Sequence, residues 1–194
     1  MTEIVLTLGG LGNRDTVGRA LGGYATAKTR KRVEIEYPRA GSTSSITIGS
    51  SSLDSALRYW TVANDVTVLA HSHGAEAVSE WLEKNRNGPV DPSRVTFILT
   101  GNPRRALGGA GKVGWDWKPI PRTPWDTPYT VLDVARINDG WCNADDWPNK
   151  RVSLGRAIAL SIGKLTVHSD YSKVKLEECR IREVRGNTTY LVAE

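Results

Sequence analysis

The chain has 194 residues, of which 39% are hydrophobic and 24% are charged, and its formal net charge is +5 at pH 7. These values are typical of one soluble globular domain with a substantial core. The sequence also excludes a membrane-spanning protein, because no apolar run approaches the roughly 20 residues that a span requires. The N-terminus starts with a strand-like segment and has no basic region, so we expect no signal peptide. The expected location is cytoplasmic on synthesis, and release to act on a cell envelope is compatible with it.

The positive charge suits an anionic partner. Its densest run, at residues 28–32, is typical of a helix C-terminus followed by a solvated loop. Since no nucleic-acid motif accompanies this run, we expect no specific nucleic-acid partner. Cys142 and Cys179 form no metal motif. Whether they form a disulfide is open, although we expect free thiols.

Strand and helix patterns alternate along most of the chain. Buried strands are predicted at 3–8, 66–71, 94–100 and 129–136, and a half-exposed edge strand at 33–37. Helices are predicted at 14–27, after a capping box formed by Ser51 and Asp54, after residue 74, and at 153–163 with Leu154, Ile158 and Ile162 on one face. Residues 39–52 are predicted to be a loop. A terminal β-hairpin is predicted between Lys173 and Val192. This order predicts an α/β architecture with a mainly parallel sheet.

The segment Val66–Ala75 contains the pattern of a nucleophile elbow, a sharp strand-to-helix turn that exposes a serine hydroxyl. Its usual form is G-x-S-x-G. Here Ala70 replaces the first glycine, Ser72 is the serine and Gly74 is the second glycine. Small residues are required because the helix backbone passes close to the strand. The pattern alone is equally compatible with an ordinary buried strand and turn.

A nucleophilic serine needs a base and an orienting acid. His71 and His73 adjoin Ser72, and such neighbours generally point away from the serine hydroxyl. His168 is therefore the predicted base, in the chain order Ser, acid, His that α/β-hydrolases use.

The acid is expected between Ser72 and His168, after the end of a strand. Asp139 fits best, with Asp145 and Asp146 as competitors in the same loop. Asp133 lies within a strand and Asp170 follows the histidine, so both fit less well.

Two features predict an oxyanion hole. One donor is the backbone N–H of His73, the residue after the serine, and the other comes from the loop Gly9-Gly10-Leu11. A plain tight turn is the alternative interpretation of this glycine-rich loop.

Three segments carry a family resemblance: ILTGNPRRALGG at 98–109, TPWDTPYTVLDVARINDGW at 123–141, and TVHSDY at 166–171. Together they resemble the PE-PPE domain of mycobacterial proteins, which is similar to cutinase-like serine α/β-hydrolases. The resemblance extends from the Gly9 loop to about Tyr171 and leaves out the terminal hairpin. It predicts a hydrolase domain at 1–171, extended by the hairpin at 172–194. The family's elbow usually has Gly at the position of Ala70 and often Gln at that of His73.

The resemblance implies ester hydrolysis on lipid-like acyl esters, without metal or cofactor, by Ser72 as nucleophile and His168 as base. Asp139 matches the acid, and Asp145 also falls near a family aspartate. The domain stands without the PE or PPE region that normally precedes it, which suggests a phage or actinobacterial protein. Phage mycolyl-ester hydrolases of the lysin B class are cutinase-like too, so mycolate or other envelope esters are natural hypotheses.

Trp115, Trp117 and Trp125 cluster in the long loop 104–128 and are predicted to line the acyl site, since aromatic walls suit an apolar chain. A satellite core under the loop would explain them equally well. The alternative function is a catalytically weak or inactive hydrolase-fold module that binds an envelope component or a protein.

Overall fold

The computed structural model describes residues 3–12, 15–111, 120–143 and 152–194. Within them, seven strands form one sheet: β1 (Glu3–Leu8), β2 (Arg30–Glu34), β3 (Val66–His71), β4 (Val95–Thr100), β5 (Thr130–Arg136), β6 (Arg180–Arg185) and β7 (Thr188–Ala193). Their spatial order is β2-β1-β3-β4-β5-β7-β6. All neighbours are parallel except β6 and β7, which form an antiparallel hairpin. The predicted mainly parallel sheet with a terminal hairpin is confirmed.

Helices cover both faces of this sheet. Those in the described residues are α1 (Thr16–Gly23), α2 (Thr43–Trp60), α3 (His73–Lys84) and α4 (Leu154–Thr166). Strand β3 is buried along its whole length, as expected for a central parallel strand. Because side chains alternate along a strand, Val68 packs in the core with α2 and α3 while Leu69 packs in the opposite core with α1 and Tyr171.

The start of α2 corrects the prediction of a loop over residues 39–52. Ser42 caps the helix: its Oγ accepts the N–H of Ser45 at 3.2 Å, and Ser45 Oγ accepts the N–H of Ser42 at 3.3 Å. Burial of Ile46 stabilises the first turns although serine and threonine favour them little. Ser51 lies inside the helix and donates to the Thr47 carbonyl, so the predicted Ser51–Asp54 capping box is wrong.

The edge strand begins earlier than the sequence pattern predicts. It covers Arg30–Glu34 instead of 33–37, although its edge position was predicted correctly. Basic side chains from the run at residues 28–32 take part in it. Arg30 pairs with Glu3 at 2.7 Å and Arg32 with Asp15 at 2.7 Å. Intramolecular ion pairs therefore neutralise part of the positive charge of residues 28–32.

A buried ion pair ties the loop after β4 to the sheet. The side chains of Arg105 and Asp133 are both fully buried, and Arg105 Nη1 donates to Asp133 Oδ1 at 2.9 Å. Asn102 Nδ2 donates to the other carboxylate oxygen at 3.0 Å, and Arg105 Nη2 donates to the Leu191 carbonyl at 3.1 Å. Burial raises the pKa of Asp133, and Arg105 opposes this. Asp133, within β5, thus has a structural partner in the loop after β4.

Candidate active site

Ser72 lies at the sharp turn between β3 and α3. Its backbone has φ 53° and ψ −117°, an unusual conformation for a residue other than glycine. The Ser72 N–H donates to the Thr100 carbonyl at 3.0 Å, and the Ser72 carbonyl accepts from the Glu76 N–H at 3.1 Å. Such strain costs on the order of 1–3 kcal/mol and is often found at functional sites. The turn has the geometry of a nucleophile elbow.

Two glycines allow this turn to form. A Cβ on Gly74 would lie 2.2 Å from the Leu8 carbonyl oxygen, so only glycine lets α3 pass this close to the end of β1. A Cβ on Gly10 would lie 3.2 Å from the Ser72 Cβ. The glycine-rich loop after β1 therefore runs directly beside the serine.

Ser72, His168 and Asp139 are joined by hydrogen bonds. His168 Nε2 lies 2.7 Å from Ser72 Oγ, and His168 Nδ1 lies 2.9 and 3.0 Å from the two carboxylate oxygens of Asp139. Since a carboxylate only accepts, Nδ1 is the donor and Nε2 faces the serine hydroxyl as acceptor. Asp139 is fully buried, whereas Ser72 and His168 are partly exposed. This arrangement can pass a proton from serine to histidine.

Asp139 sits in a turn just after β5, where three donors converge on its carboxylate. Besides His168, the Trp141 N–H donates to Oδ1 at 2.9 Å and the Tyr171 hydroxyl donates to Oδ2 at 2.8 Å. Burial by itself raises the pKa of Asp139, but the charge of His168 and these hydrogen bonds outweigh it and lower the pKa to about 2. The carboxylate is therefore ionised at neutral pH.

The other two histidines form hydrogen bonds to groups other than the serine hydroxyl. His71 is buried, and its Nδ1 lies 3.1 Å from Thr100 Oγ1. Burial, with a smaller contribution from His168, lowers the pKa of His71 to about 3, so the imidazole is neutral. His73 is also buried, with Nε2 2.6 Å from Ser45 Oγ and Nδ1 2.7 Å from Glu76 Oε2. Its side chain thus joins α2 to the first turn of α3.

The backbone positions predicted for an oxyanion hole lie around Ser72. His73 is the first residue of α3, where N–H groups have no acceptor within the helix. Gly9 and Gly10 are buried and Leu11 is exposed. The Tyr37 hydroxyl donates to the Gly9 carbonyl at 2.6 Å, and the Tyr37 ring stacks on His73 with centroids 6.0 Å apart. The Tyr37 side chain therefore contacts both of the backbone segments that are predicted to donate to the oxyanion.

Trp125, which was predicted to line an acyl site, does not lie beside Ser72. Trp125 lies against Gly186 in the β6–β7 turn, since a Cβ there would be 2.8 Å from the Trp125 carbonyl oxygen. Trp125 therefore lies at the end of the sheet where β5 and β7 begin, whereas Ser72 lies at the opposite end, where β3 stops. This corrects the predicted role of Trp125. Trp115 and Trp117 lie outside the described residues, as do Asp145 and Asp146.

Sequence reasoning missed several residues that support the site. Tyr171 had a signal, because it closes the TVHSDY segment three residues after His168. The Trp141 ring, 6.2 Å from that of His168, lies in the quoted DGW segment. The contacts of Ser45 and Glu76 with His73 had no local signal.

In the described ranges, no group of three or more His, Cys, Asp or Glu side chains is arranged to hold a metal ion. Cys142 and Cys179 are both free thiols. No helix in the part of the chain that the structure describes is long and apolar enough to cross a membrane.

Comparison with solved structures identifies the fold class. A cutinase-like protein from Cryptococcus sp. matches with a TM-score of 0.56 and 17% identity, over 88% of this chain and 93% of that chain. At this identity the match shows a shared fold, the cutinase-like α/β fold expected from the sequence.

The family is shown by a direct sequence match. Residues 25–193 match the PE-PPE domain model, so the chain belongs to the PE-PPE domain family. The predicted resemblance is confirmed, with two corrections to its extent: the match begins at residue 25, after the Gly9 loop, and it includes the terminal hairpin, where β7 pairs with β5. No curated protein matches the chain.

Proposed function

We propose that this protein is a serine hydrolase that cleaves carboxylic esters with apolar acyl chains through an acyl-enzyme. The observation that carries the proposal is the hydrogen-bonded series Ser72–His168–Asp139 at a strained turn. Membership of the PE-PPE family and the cutinase-like fold support the same chemistry. Fold likeness alone would not suffice, since function depends on the site.

In the first half-reaction, Ser72 Oγ attacks the ester carbonyl carbon while His168 Nε2 takes the hydroxyl proton. The carbonyl π-electrons move to oxygen and form a tetrahedral oxyanion. Asp139 holds the imidazole through Nδ1–H and stabilises its protonated form. Because the pKa of Asp139 is about 2, the carboxylate stays ionised throughout.

The oxyanion needs donors that are already in place. The backbone N–H of His73 is one, and an N–H of the Gly9–Leu11 loop is the other. The contacts of His73 with Ser45 and Glu76 restrain the first of these segments, and the Tyr37 hydroxyl restrains the second. Both donors are therefore fixed before substrate arrives, which is where their catalytic value lies.

Collapse of the intermediate breaks the ester C–O bond, and His168 gives its proton to the leaving alcohol. In the second half-reaction, water attacks the acyl-enzyme with His168 as base, and Ser72 leaves with the proton. Replacement of water by another alcohol would give acyl transfer through the same intermediate. We propose envelope esters, mycolates among them, as the substrate class.

The test is hydrolysis of p-nitrophenyl esters from acetate to palmitate. We expect the wild-type protein to hydrolyse these esters, and Ser72→Ala to hydrolyse them about a thousandfold or more slowly. Ser51→Ala is the matched control, because Ser51 is exposed on α2, and it should keep wild-type activity. Equal rates for wild type and Ser72→Ala at every chain length would contradict the proposal and favour an inactive binding module.

A further inference from the structure

The loop at residues 9–12 depends on its neighbours for a fixed shape. Three of its four residues are glycine, and Gly12 has a φ of 74°. Glycine loses more conformational freedom on folding than any other residue, so such a loop keeps one conformation only where other groups hold it. We call this segment the oxyanion loop, because the proposed mechanism takes its second oxyanion donor from it.

Tyr37 fixes the direction of one peptide group in the oxyanion loop. At the end of β1, the Thr7 carbonyl accepts a backbone N–H from the residue after β2 at 2.9 Å, so it faces the β2 side of the sheet. The Gly9 carbonyl, two residues further on, faces the same side and accepts the Tyr37 hydroxyl at 2.6 Å. In a planar trans peptide the next N–H points the opposite way. The Gly10 N–H is therefore directed towards β3, the strand that ends at Ser72.

The Gly10 N–H is an unpaired donor beside the proposed nucleophile. Gly10 is buried, and its N–H has no acceptor among the described residues. A Cβ on Gly10 would lie 3.2 Å from the Ser72 Cβ, which places the donor next to the serine. Buried backbone donors are rarely left unpaired. An oxyanion formed at Ser72 would supply the acceptor.

Arg39 packs against the oxyanion loop. Its guanidinium lies beside Gly9, where a Cβ would be 2.8 Å from Arg39 Cζ. Arg39 Nη1 also donates to the Gly12 carbonyl at 3.4 Å, a long hydrogen bond. The Arg39 side chain is only 16% exposed, although arginine side chains are mostly exposed. Arg39 therefore occupies the space that glycine leaves beside the loop.

An ion-pair network orients Arg39. Its Nη2 donates to Glu34 Oε1, and the other carboxylate oxygen of Glu34 lies 3.5 Å from Arg32 Nη2. Arg32 donates in turn to both carboxylate oxygens of Asp15 at 2.7 Å. Asp15 caps helix α1 by accepting the Gly18 N–H at 2.9 Å. The network thus extends from the oxyanion loop to the start of α1.

We infer that Arg39 is a positioning residue, which holds the oxyanion loop with its Gly10 N–H directed at the oxyanion. Arg39 acts through the loop and not by contact with the substrate. The inference rests on the proposed function, because a serine hydrolase is what forms this oxyanion. The alternative is a purely structural role at the sheet edge, which would affect stability and leave oxyanion binding unchanged.

The experiment compares Arg39→Met with wild type in hydrolysis of p-nitrophenyl butyrate and in inhibition by an alkyl trifluoromethyl ketone. The ketone adds to an activated serine and forms a tetrahedral oxyanion, so it is an analogue of the transition state. We expect kcat to fall by roughly tenfold with little change in KM, because only oxyanion stabilisation is weakened. The inhibition constant of the ketone should rise by a similar factor. Arg39→Lys should recover little of the loss, since an ammonium group lacks the planar fork of arginine.

Arg58→Met is the matched control. Arg58 pairs with Asp54 at 2.7 Å on an exposed side of α2. It lies thirteen residues after Ser45, or about 20 Å along the helix. This variant should keep the wild-type kcat and the wild-type inhibition constant. Thermal unfolding checks that each variant is folded.

Three results would overturn the inference: an unchanged kcat in Arg39→Met, a lower kcat without a matching rise in the inhibition constant, or full recovery in Arg39→Lys. Each of them leaves the proposed function in place, because wild type would still be faster than Ser72→Ala. A wild type no faster than Ser72→Ala would instead overturn the proposed function, and this inference with it.

Discussion

The hydroxyl of Tyr171 donates a 2.8 Å hydrogen bond to Oδ2 of Asp139, the oxygen that also lies 2.9 Å from His168 Nδ1. The same hydroxyl accepts from the Arg136 N–H at 3.1 Å and lies 3.3 Å from Cys142 Sγ. Tyr171 and His168 therefore both hydrogen-bond to the carboxylate of Asp139, and Tyr171 holds that carboxylate in place for His168. In the proposed mechanism, Tyr171 is a positioning residue that acts through Asp139.

Tyr171→Phe should lower kcat by roughly tenfold with little change in KM, the equivalent of about 1.4 kcal/mol for one hydrogen bond to a charged group. Loss of the donor also raises the pKa of Asp139, but because this pKa starts at about 2 the carboxylate stays ionised, and kcat should fall by the same factor across neutral pH. The measurement is the pH profile of kcat.

Tyr190→Phe is the control for this change, because its buried hydroxyl has no hydrogen-bond partner within the described residues. It should keep the wild-type profile. A Tyr171→Phe profile that matches wild type in both height and shape would remove Tyr171 from the account.

Gly74→Ala should damage the elbow, because the new Cβ would meet the Leu8 carbonyl at 2.2 Å. We expect a loss of more than about 2 kcal/mol in the free energy of unfolding, by overpacking against backbone that cannot move. Gly155→Ala, where a Cβ meets nothing within 4 Å, should be neutral or stabilising. Urea unfolding measures both, and similar values for the two variants would contradict the prediction.

Much of the site could be predicted because its signals are local. The elbow occupies a few consecutive residues, and the positions of Asp139 and His168 follow from strand ends and chain order. What failed depended on tertiary contacts. The start of α2 is stabilised by burial of Ile46 in the core, and the bridge from His73 to Ser45 spans 28 positions.

The predictions for the tryptophans and for α4 were also limited because they depended on tertiary contacts. Clustering of tryptophans in the sequence does not determine which end of the strands their loop reaches, and Trp125 lies at the end of the sheet away from Ser72. Periodicity in α4 revealed an apolar face correctly. It could not reveal that two glycines would dock the opposite side of the helix.

His71 should make stability depend on pH. Its pKa is about 3 in the folded protein, through burial, against an ordinary value of 6.5. Between these values the unfolded chain binds one more proton at this site, so the free energy of unfolding falls as pH falls. From pH 7 to pH 5, this residue should account for about 2 kcal/mol of lost stability.

His71→Gln should therefore lose less stability than wild type between pH 7 and pH 5, whatever its stability at pH 7. Urea denaturation at the two pH values measures the difference. The other two histidines are present in both proteins, so the comparison isolates this side chain. Identical losses would show that His71 does not titrate as described.

Arg105→Met should cost about 3–5 kcal/mol of stability, because it leaves the Asp133 carboxylate buried without its cation. Arg86→Met removes an exposed pair with Asp126 and Glu83 and should cost much less, because solvent screens these charges. Thermal or urea unfolding distinguishes them. Equal costs would mean that the buried pair contributes no more than a surface one.

The central claim is that Ser72 is a nucleophile activated by His168. Its most direct test is the intact mass of the protein after treatment with a fluorophosphonate, which labels activated serines. We predict one adduct on wild type, mapped to Ser72, none on Ser72→Ala, and much slower labelling of His168→Gln. Absence of an adduct on folded wild-type protein, or an unchanged adduct on Ser72→Ala, would contradict it.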